Sequence, residues 1–331
     1  MAMFYACGDN PLPCPAAATV KVTFSILDEM ASTRRTNVGP EDERMAGHWV
    51  LLLYRDGKLA DYGVSTSGDI TREMETGDYT ACAVVNAPED AFRPESAGTL
   101  TQWESTLSDL ADNALPGLVM AGRRNLRIPE GTESGAQAIP VDRLVFKSGV
   151  RKISVRMEDP SLAARPFVLK AVYLTNCPRK TRLGQDLSVA DLSGESLWAN
   201  RMGIQPDPPG NGLLADTGID AAVTATSPHT VPHFFYGYPN PVGADGDSRS
   251  RGAWSPRCTR LVIEAAVGGK TYYYPVTLPA TARNRTYIAE EAVIRGLGSL
   301  DPEEEVPGAV EAVFSASVQE WAPEYAIHEQ S

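Results

Sequence analysis

Lys270-Thr-Tyr-Tyr-Tyr-Pro-Val276 and Arg285-Thr-Tyr-Ile-Ala-Glu-Glu-Ala-Val-Ile294 are aromatic and β-branched runs with the length and composition of strands. Gly296-Leu-Gly-Ser-Leu-Asp-Pro302 then breaks the chain, because glycine admits positive φ and proline restricts the residue before it. The run from Val310 to Trp321 alternates with a period of two residues. These segments predict a β-rich carboxyl-terminal region that ends in a strand. The apolar face of that strand, closed by Trp321, consists of Val310, Ala312, Phe314, Ala316 and Val318.

This order of segments resembles the carboxyl-terminal end of the FimA-type and Mfa-type fimbrial subunits of Bacteroidales, the fimbrillin family of type V pilins. In that family a KTYYPV strand, an RN-x-x-Y segment, a GxGsxxP turn and a final strand ending in V-x-x-W recur in the same order. The resemblance covers most of the chain and is weakest in the middle of the second half. Further segments similar to the family are Gly77 to Ala87, Leu115 to Ala121, Ile139 to Val155 and Phe167 to Asn176.

Length and composition agree with the fold that this resemblance implies. A chain of 331 residues is about two domains long, and its 25 Pro and 28 Gly are spread among short strand-like runs. The resemblance implies a mainly β protein with two transthyretin-like β-sandwich domains in tandem and a short helix in the first. We expect a lipoprotein leader remnant over residues 1–18, an amino-terminal domain over 19–138 and a carboxyl-terminal domain over 139–331.

The charge and hydropathy patterns exclude two classes of function. The formal net charge is −12, and no basic patch offsets it, so nucleic acid is not an expected partner. No run of apolar residues approaches the ~18 that a membrane-spanning helix needs.

The five cysteines are too few and too scattered for a disulfide scaffold, and no CxxC pair suggests zinc. Cys82 and Cys177 lie in strand-like runs and are expected to be buried free thiols. Cys7 follows a small alanine and precedes Gly-Asp-Asn, a pattern typical of the lipidation site of a bacterial lipoprotein. The alternative is an ordinary cysteine in a leader segment, and Cys14 is the poorer candidate because a proline precedes it.

The amino-terminal region predicts a half-buried strand followed by an exposed loop. In Thr19-Val-Lys-Val-Thr-Phe-Ser-Ile26 the apolar residues alternate with polar ones. The polar stretch from Asp28 to Gly47 contains the pair Arg34-Arg35 and is typical of a loop that proteases cut. Arg55-Asp-Gly57 then follows an apolar strand and predicts a hairpin turn. The apolar face of the first strand consists of Val20, Val22, Phe24 and Ile26.

Farther along, the pattern predicts one helix and a long loop-rich region. Between Thr101 and Ala114 a short amphipathic helix is expected, with an apolar stripe that packs into the core. The stripe consists of Trp103, Leu107, Leu110 and Ala114, which recur at helical spacing. The polar run from Gly131 to Gln137 suggests the domain boundary. Residues 179–255 are dense in Pro, Gly and Asp, and Thr230 to Tyr238 is the single obvious strand in them.

Residues that could carry out catalysis or bind a metal do not form a recognisable site in the sequence. His229 and His233 have the spacing of a helical metal pair, but the flanking prolines and aromatic run argue against a helix. Gly63 to Ser67 lacks the second glycine of a nucleophile elbow. Asp245 to Arg251 begins like a calcium loop, but arginines replace expected ligands, so we expect a solvated turn. The acidic run Asp301 to Glu305 is expected to be exposed charge. We therefore predict no enzyme, cofactor or metal.

The resemblance implies an assembly mechanism. Lipoprotein precursors of this family lose an amino-terminal strand to a trypsin-like, Arg-specific protease, and a carboxyl-terminal strand of a neighbouring subunit fills the groove that is left. For this chain the resemblance implies cleavage at Arg35, or alternatively at Arg34, and lipidation at Cys7. The removable strand carries Val20, Val22, Phe24 and Ile26; the donor strand carries Val310, Ala312, Phe314, Ala316, Val318 and Trp321. The expected location is the outer membrane and cell surface, with other fimbrial subunits and the protease as partners.

Two alternatives remain open at this stage. One is an anchoring or accessory fimbrial subunit that keeps its first strand. The other is a surface carbohydrate-binding adhesin lipoprotein with a host glycan or protein as partner, because aromatic side chains suit sugar stacking. The aromatic residues in question are Trp198, Phe234, Phe235, Tyr236, Tyr238 and Trp254.

Overall fold

The structure is a computed structural model that describes residues 19–28, 46–66, 68–130, 134–201, 212–250 and 253–317. These ranges form a mainly β fold, as predicted. The first strands are β1 (Thr19–Asp28), β2 (Trp49–Arg55), β3 (Lys58–Ser65), β4 (Ile70–Glu75), β5 (Gly77–Val85), β6 (Leu107–Asp109), β7 (Met120–Ile128) and β8 (Ser134–Arg143). The next are β9 (Phe146–Val150), β10 (Ile153–Val155), β11 (Phe167–Thr175), β12 (Cys177–Pro178), β13 (Lys180–Arg182), β14 (Trp198–Ala199), β15 (Ala215–Ala222), β16 (His233–Gly237), β17 (Arg260–Val267), β18 (Lys270–Thr277), β19 (Thr286–Ile294) and β20 (Val310–Ser317). The described ranges also contain two short α-helices, α1 (Leu100–Ser105) and α2 (Pro160–Ala163).

The amino-terminal part is a sandwich made from one folded-over sheet with strand order β3-β2-β5-β7-β8-β1-β4. Only two residue pairs join β7 to β8, at Met120↔Arg143 and Ala121↔Asp142, so the sheet turns over between these strands. The face of β1, β4 and β8 packs on the face of β2, β5 and β7, and the two faces share one apolar core. That core includes Val22, Phe24, Leu51, Leu53, Ile70, Met74, Ala81, Ala83, Ile139 and Val141.

The β2–β3 hairpin forms at the turn that the sequence predicted. Asp56 and Gly57 both have positive φ, at 50° and 74°, as a two-residue turn with the right-handed twist of the flanking strands requires. Asp is tolerated in this conformation, and Gly adopts it without a steric cost.

The carboxyl-terminal part is a second sandwich. One sheet has the order β15-β11-β17-β18, and the other has the order β10-β19-β9-β16, with β20 paired to the free edge of β19. Residues from both sheets share one core, which includes Leu169, Leu174, Ile263, Phe146, Phe235 and Ala289. The two sandwiches are joined by the pairing of β6 with β13 and by the Tyr238 hydroxyl, which accepts a hydrogen bond of 2.8 Å from the Asn113 amide.

The predicted domain boundary between residues 138 and 139 falls inside β8. This strand runs without a break from Ser134 to Arg143 and pairs with β7 and β1 of the first sheet. By strand pairing, the first sheet therefore ends at Arg143. The division of the chain into two assembly domains stays a proposal.

The predicted helix between Thr101 and Ala114 is wrong beyond Ser105. α1 begins with a capping box between Thr99 and Gln102 and buries Trp103, but the next residues form β6, which pairs with β13. Helical spacing predicted that Leu107 is buried, whereas its side chain is 50% exposed. Pairing with a strand more than 70 residues away overrides the local helical pattern.

The loop-rich region contains more structure than the sequence indicated. β16 forms within the predicted strand, but β13, β14 and β15 were missed. The predicted buried thiols Cys82 and Cys177 are confirmed, and burial raises the pKa of both.

The acidic turn before β20 is anchored by a buried ion network, which contradicts the prediction of exposed charge at Glu303. The Glu303 carboxylate is fully buried and accepts hydrogen bonds from Arg257 Nε at 2.9 Å and from Asn176 Nδ2 at 2.8 Å. Arg260 also pairs with it, at 3.4 Å. Asp245 joins the same two arginines, with Arg257 Nη2 at 2.9 Å. Glu303 is thus not exposed charge, because arginines from other segments neutralise it. Asp245 lies in a turn that is largely exposed, as predicted, and its carboxylate pairs with the same arginines.

The network also fixes the charge state of Asp245. Burial raises the pKa of this carboxyl, but hydrogen bonds from Arg260 and the Cys258 amide outweigh burial, so the net shift is downward. A carboxyl with a lowered folded-state pKa contributes stability that is present above the unfolded pKa, near 3.9, and is lost as the pH falls through the folded value.

Replacing the central carboxylate tests the network. Glu303→Gln leaves Arg257 and Arg260 buried without their full countercharge, so we expect a loss of about 3–5 kcal/mol in the free energy of unfolding. Urea unfolding followed by tryptophan fluorescence measures it. Glu304→Gln, on an exposed neighbour, is the control and should change stability by less than about 0.5 kcal/mol. Equal stabilities of the two variants would contradict the structural role of Glu303.

Candidate functional site

The candidate site is the space in the first sandwich that β1 fills. β1 pairs antiparallel with β4 from Thr19↔Glu75 to Phe24↔Ile70, and parallel with β8 from Val22↔Ser134 to Asp28↔Val141. The amino-terminal half of β1 thus pairs with the backbone N–H and C=O groups of β4, and its carboxyl-terminal half pairs with those of β8. We call the space between β4 and β8 the acceptor groove.

The predicted apolar face of β1 is buried in the sandwich core. Val22 and Phe24 are fully buried, Val20 is 6% exposed, and Ile26 is partly buried against the same core. The polar residues between them face out, and the Thr23 hydroxyl lies 3.1 Å from the Thr71 hydroxyl of β4. Burial of the three most enclosed side chains stabilises β1 in the groove by about 5–9 kcal/mol before ordering costs.

Removal of β1 would expose two kinds of unsatisfied surface. The facing edges of β4 and β8 would lose their hydrogen-bond partners, and unpaired strand edges bind other strands. The groove opens onto the apolar core that β1 shares with the other strands, which includes Leu51, Leu53, Ala83 and Met74. The vacated groove would therefore accept a strand with one apolar face.

The predicted cleavage and lipidation residues lie outside the described residues. Arg34 and Arg35 fall between the end of β1 at Asp28 and residue 46, where the description resumes. Cys7 precedes the first described residue.

The predicted donor strand begins as an edge strand of the second sandwich. In the described residues β20 pairs with β19 alone, from Ile294↔Val310 to Thr286↔Ser317. Val310, Ala312 and Phe314 pack against the core and are partly buried, whereas Val313 is 77% exposed. This confirms the two-residue alternation over these positions. Ala316 lies within β20, but its side chain is outside the description, as are Val318 and Trp321.

Polar contacts hold β20 at its start and anchor the turn before it. Arg295 Nη2 lies 2.5 Å from Glu311 Oε2, and the Arg295 amide donates to the Ala309 carbonyl at 2.8 Å. Upstream, Glu303 is held by the buried network and Asp301 pairs with Arg249 at 2.8 Å. Gly308, at φ 77° with open space around it, separates the anchored turn from the strand. No motif in the sequence indicated that Glu303 anchors this turn.

The aromatic residues that suggested sugar stacking mostly belong to the core. Trp198, Phe235, Tyr236, Tyr238 and Trp254 are all buried. Phe234 is partly buried, and Lys147 and Arg151 cover it, with Lys147 Nζ 4.4 Å from the ring centroid. The faces of buried rings are not available to a sugar. The burial of these aromatic side chains therefore no longer favours a carbohydrate-binding site.

His229, in a loop, and His233, in β16, form a hydrogen-bonded pair. Their Nε2 atoms are 2.9 Å apart, and His233 Nδ1 lies 2.7 Å from Asp216 Oδ2. Burial, with the neighbouring His233 as a second cause, lowers the pKa of His229. Within the described ranges, no group of three or more His, Cys, Asp or Glu is placed to hold a metal ion, and no helix is long and apolar enough to cross a membrane.

Comparison with solved structures identifies the fold as that of the Bacteroidales fimbrillins. A candidate cell adhesion protein from Bacteroides eggerthii superposes with a TM-score of 0.64 at 17% identity, covering 93% of this chain and 98% of the other. The fimbrilin FimA of Porphyromonas gingivalis superposes with a TM-score of 0.56 at 15% identity, covering 91% of this chain and 97% of the other. The tip fimbrial protein Mfa3 of the same organism superposes with a TM-score of 0.55 at 13% identity, covering 90% of this chain and 99% of the other. No family model and no curated protein sequence matches the chain. The fold implied by the sequence resemblance is therefore confirmed.

Truncation of the most enclosed aromatic residue of β1 tests how tightly the intact chain holds this strand. Phe24→Ala opens a cavity in the sandwich core, so we expect a loss of about 3–5 kcal/mol in the free energy of unfolding, measured by urea denaturation of the uncleaved protein. Lys21→Ala, on the exposed face of the same strand, should cost less than about 0.5 kcal/mol. A small effect of Phe24→Ala would mean that the groove is already partly open.

Proposed function

We propose that this chain is a structural subunit of a cell-surface fimbrium, with no catalytic role, that assembles by protease-triggered donor-strand exchange and contributes to adhesion. One observation carries the proposal: β1 lies between two strands with most of its apolar face buried, while an edge strand in the carboxyl-terminal part of the described chain carries a similar apolar face. The solved structures with this fold include a fimbrilin, a tip fimbrial protein and candidate cell adhesion proteins, which agrees with this role.

In the proposed precursor, β1 blocks the acceptor groove. An Arg-specific, trypsin-like protease cuts at Arg35, or alternatively at Arg34, and so separates β1 from β2. β1 is then held by non-covalent contacts alone and can dissociate. The donor strand of a neighbouring subunit restores both the backbone pairing of β4 and β8 and the apolar contacts.

The proposed location is the cell surface, with export as a lipoprotein precursor and attachment to the outer membrane through Cys7. The partners are other fimbrial subunits, the protease and, as the target of adhesion, a host glycan or protein. The net charge of −12 disfavours nucleic acid.

Limited digestion with trypsin tests the proposal. We expect the first cleavage at Arg34 or Arg35, because this pair lies in the polar connection between β1 and β2, and we expect heat-labile ladders on unboiled gels after β1 is lost. Intact mass identifies the cut. The double variant Arg34→Gln, Arg35→Gln should stay monomeric, whereas Arg127→Gln, on an exposed position of β7, should assemble normally.

A resistant monomer that keeps residues 19–27 would contradict the polymerising role. It would favour an anchoring subunit that retains its first strand, or a surface protein that does not assemble.

Lipid attachment is tested separately. When the chain is produced behind an export signal in a Gram-negative host, we expect labelled fatty acid to enter the precursor as part of a diacylglyceryl group. Cys7→Ala should abolish the incorporation, because that group is attached through the cysteine sulfur. Cys14→Ala is the matched control and should retain the label. Loss of label in Cys14→Ala alone would move the site to that residue.

A further inference from the structure

The apolar face of the donor strand is symmetric about Phe314. Ala312 and Ala316 flank this residue in the sequence, and Val310 and Val318 follow on either side. β1 also has a single aromatic residue on its apolar face, Phe24, and that side chain is fully enclosed.

The position of the aromatic residue sets the register of a donor strand in the groove. A slip of two residues would place Phe314 where Val22 or Ile26 lies and would leave an alanine in the Phe24 space. The first overpacks the core and the second leaves a cavity, and both are destabilising. Because the apolar face is symmetric, however, it fits equally well in either direction along the groove.

The outward-facing positions distinguish the two directions. If the donor ran in the same direction as β1, Glu311 would take the position of Lys21. The register partner of Lys21 on β4 is Glu73, so two carboxylates would lie directly opposite each other. Like charges in that arrangement destabilise a strand pair.

The reversed direction gives complementary charges instead. Glu311 then takes the register position of Leu27, whose partner on β8 is Pro140. Arg124 of β7 donates a hydrogen bond of 2.8 Å to the carbonyl of Ala138, two residues from Pro140 on the same strand. The donor carboxylate would thus lie close to an exposed guanidinium, and Ser317 rather than Glu311 would face Glu73.

A hydroxyl contact supports the same direction. The Thr23 hydroxyl lies 3.1 Å from that of Thr71 in the intact chain. The reversed donor places Ser315 at the Thr23 position, where a hydroxyl is again available, whereas the other direction places Val313 there.

We infer that the donor strand enters the acceptor groove of a second copy of this chain with Phe314 in the place of Phe24 and with its direction reversed relative to β1. It then runs antiparallel to β8 and parallel to β4, the opposite of β1. This inference rests on the proposed function.

The inferred register also explains why β1 must be cut before assembly. Ala316 and Ala312 take the places of Val22 and Ile26, so the donor brings less apolar surface to the groove than β1 does. β1 is moreover part of the same chain, so its return to the groove is intramolecular. The uncut strand therefore outcompetes a donor from another molecule.

Cysteine pairs between two full-length chains test the register and the direction. Val313 is inferred to take the place of Ser25, whose partner on β8 is Ala138. A Val313→Cys chain is mixed with an Ala138→Cys chain, cleaved with an Arg-specific protease and oxidised. We expect disulfide-linked bands that survive boiling and disappear on reduction, because opposed residues of paired strands lie within reach of a disulfide. The unsubstituted chain in parallel controls for its own cysteines.

The matched control replaces Ala138→Cys with Thr71→Cys, at the exposed partner of Thr23 on β4. Cross-linking of Val313→Cys to Thr71→Cys, and not to Ala138→Cys, would overturn the direction. Heat-labile ladders with neither cross-link would overturn the register, while the proposed function would stand. Absence of ladders in the unsubstituted, cleaved protein would overturn both.

Charge variants on the acceptor side give a second measurement that leaves the donor strand unchanged. Arg124→Glu should slow ladder formation at low salt by about two- to fivefold, the range expected from one exposed ion pair. Glu73→Lys should leave the rate unchanged. If Glu73→Lys instead accelerates assembly and Arg124→Glu has no effect, Glu311 faces Glu73 and the inferred direction is wrong.

Discussion

The burial of one face of β1 between two sheet layers is the constraint on which the rest of the first sandwich depends. Phe24 and Val22 have no contact with solvent, and the strand supplies hydrogen-bond partners to β4 on one side and β8 on the other. Any state of the protein that lacks β1 therefore needs another strand. The acceptor groove must be filled by a strand in every folded state, and the proposed assembly supplies that strand from another subunit.

The two ends of the described chain are held in different ways. β1 is paired on both edges and buried on one face, whereas β20 is paired on one edge, and Val313 on its outer face is exposed to solvent. The turn before β20 is fixed by Glu303, which is buried among arginines. In the described residues β20 is held by backbone pairing along one edge and by the packing of Val310, Ala312 and Phe314 on the core. This difference in local stability agrees with the proposed assembly, in which the first strand is replaced and the last strand enters another subunit.

Strand faces were predictable from the sequence because alternation is a local pattern. Val20, Val22 and Phe24 are buried as the two-residue period required, and Ile26 is partly buried because it lies beyond the part of β1 that pairs with β4. The turn at Asp56 and Gly57 was equally predictable from the sequence, because both residue types tolerate positive φ. By contrast, Leu107 had the spacing of a helix and became part of a strand. β13 pairs with it from a distant part of the chain.

The sequence by itself determined which residues share a strand face, where the tight turn lies and the order of segments that resembles the fimbrillins. Each of these depends on neighbours a few residues apart. Only the tertiary structure decided that β8 continues across the expected domain boundary, that β1 lies between β4 and β8, and that Glu303 is buried. A charged side chain is buried only where partners meet it, and Arg257 is 46 residues from Glu303 along the chain. Such partnerships form when distant segments pack together, and no local pattern records them.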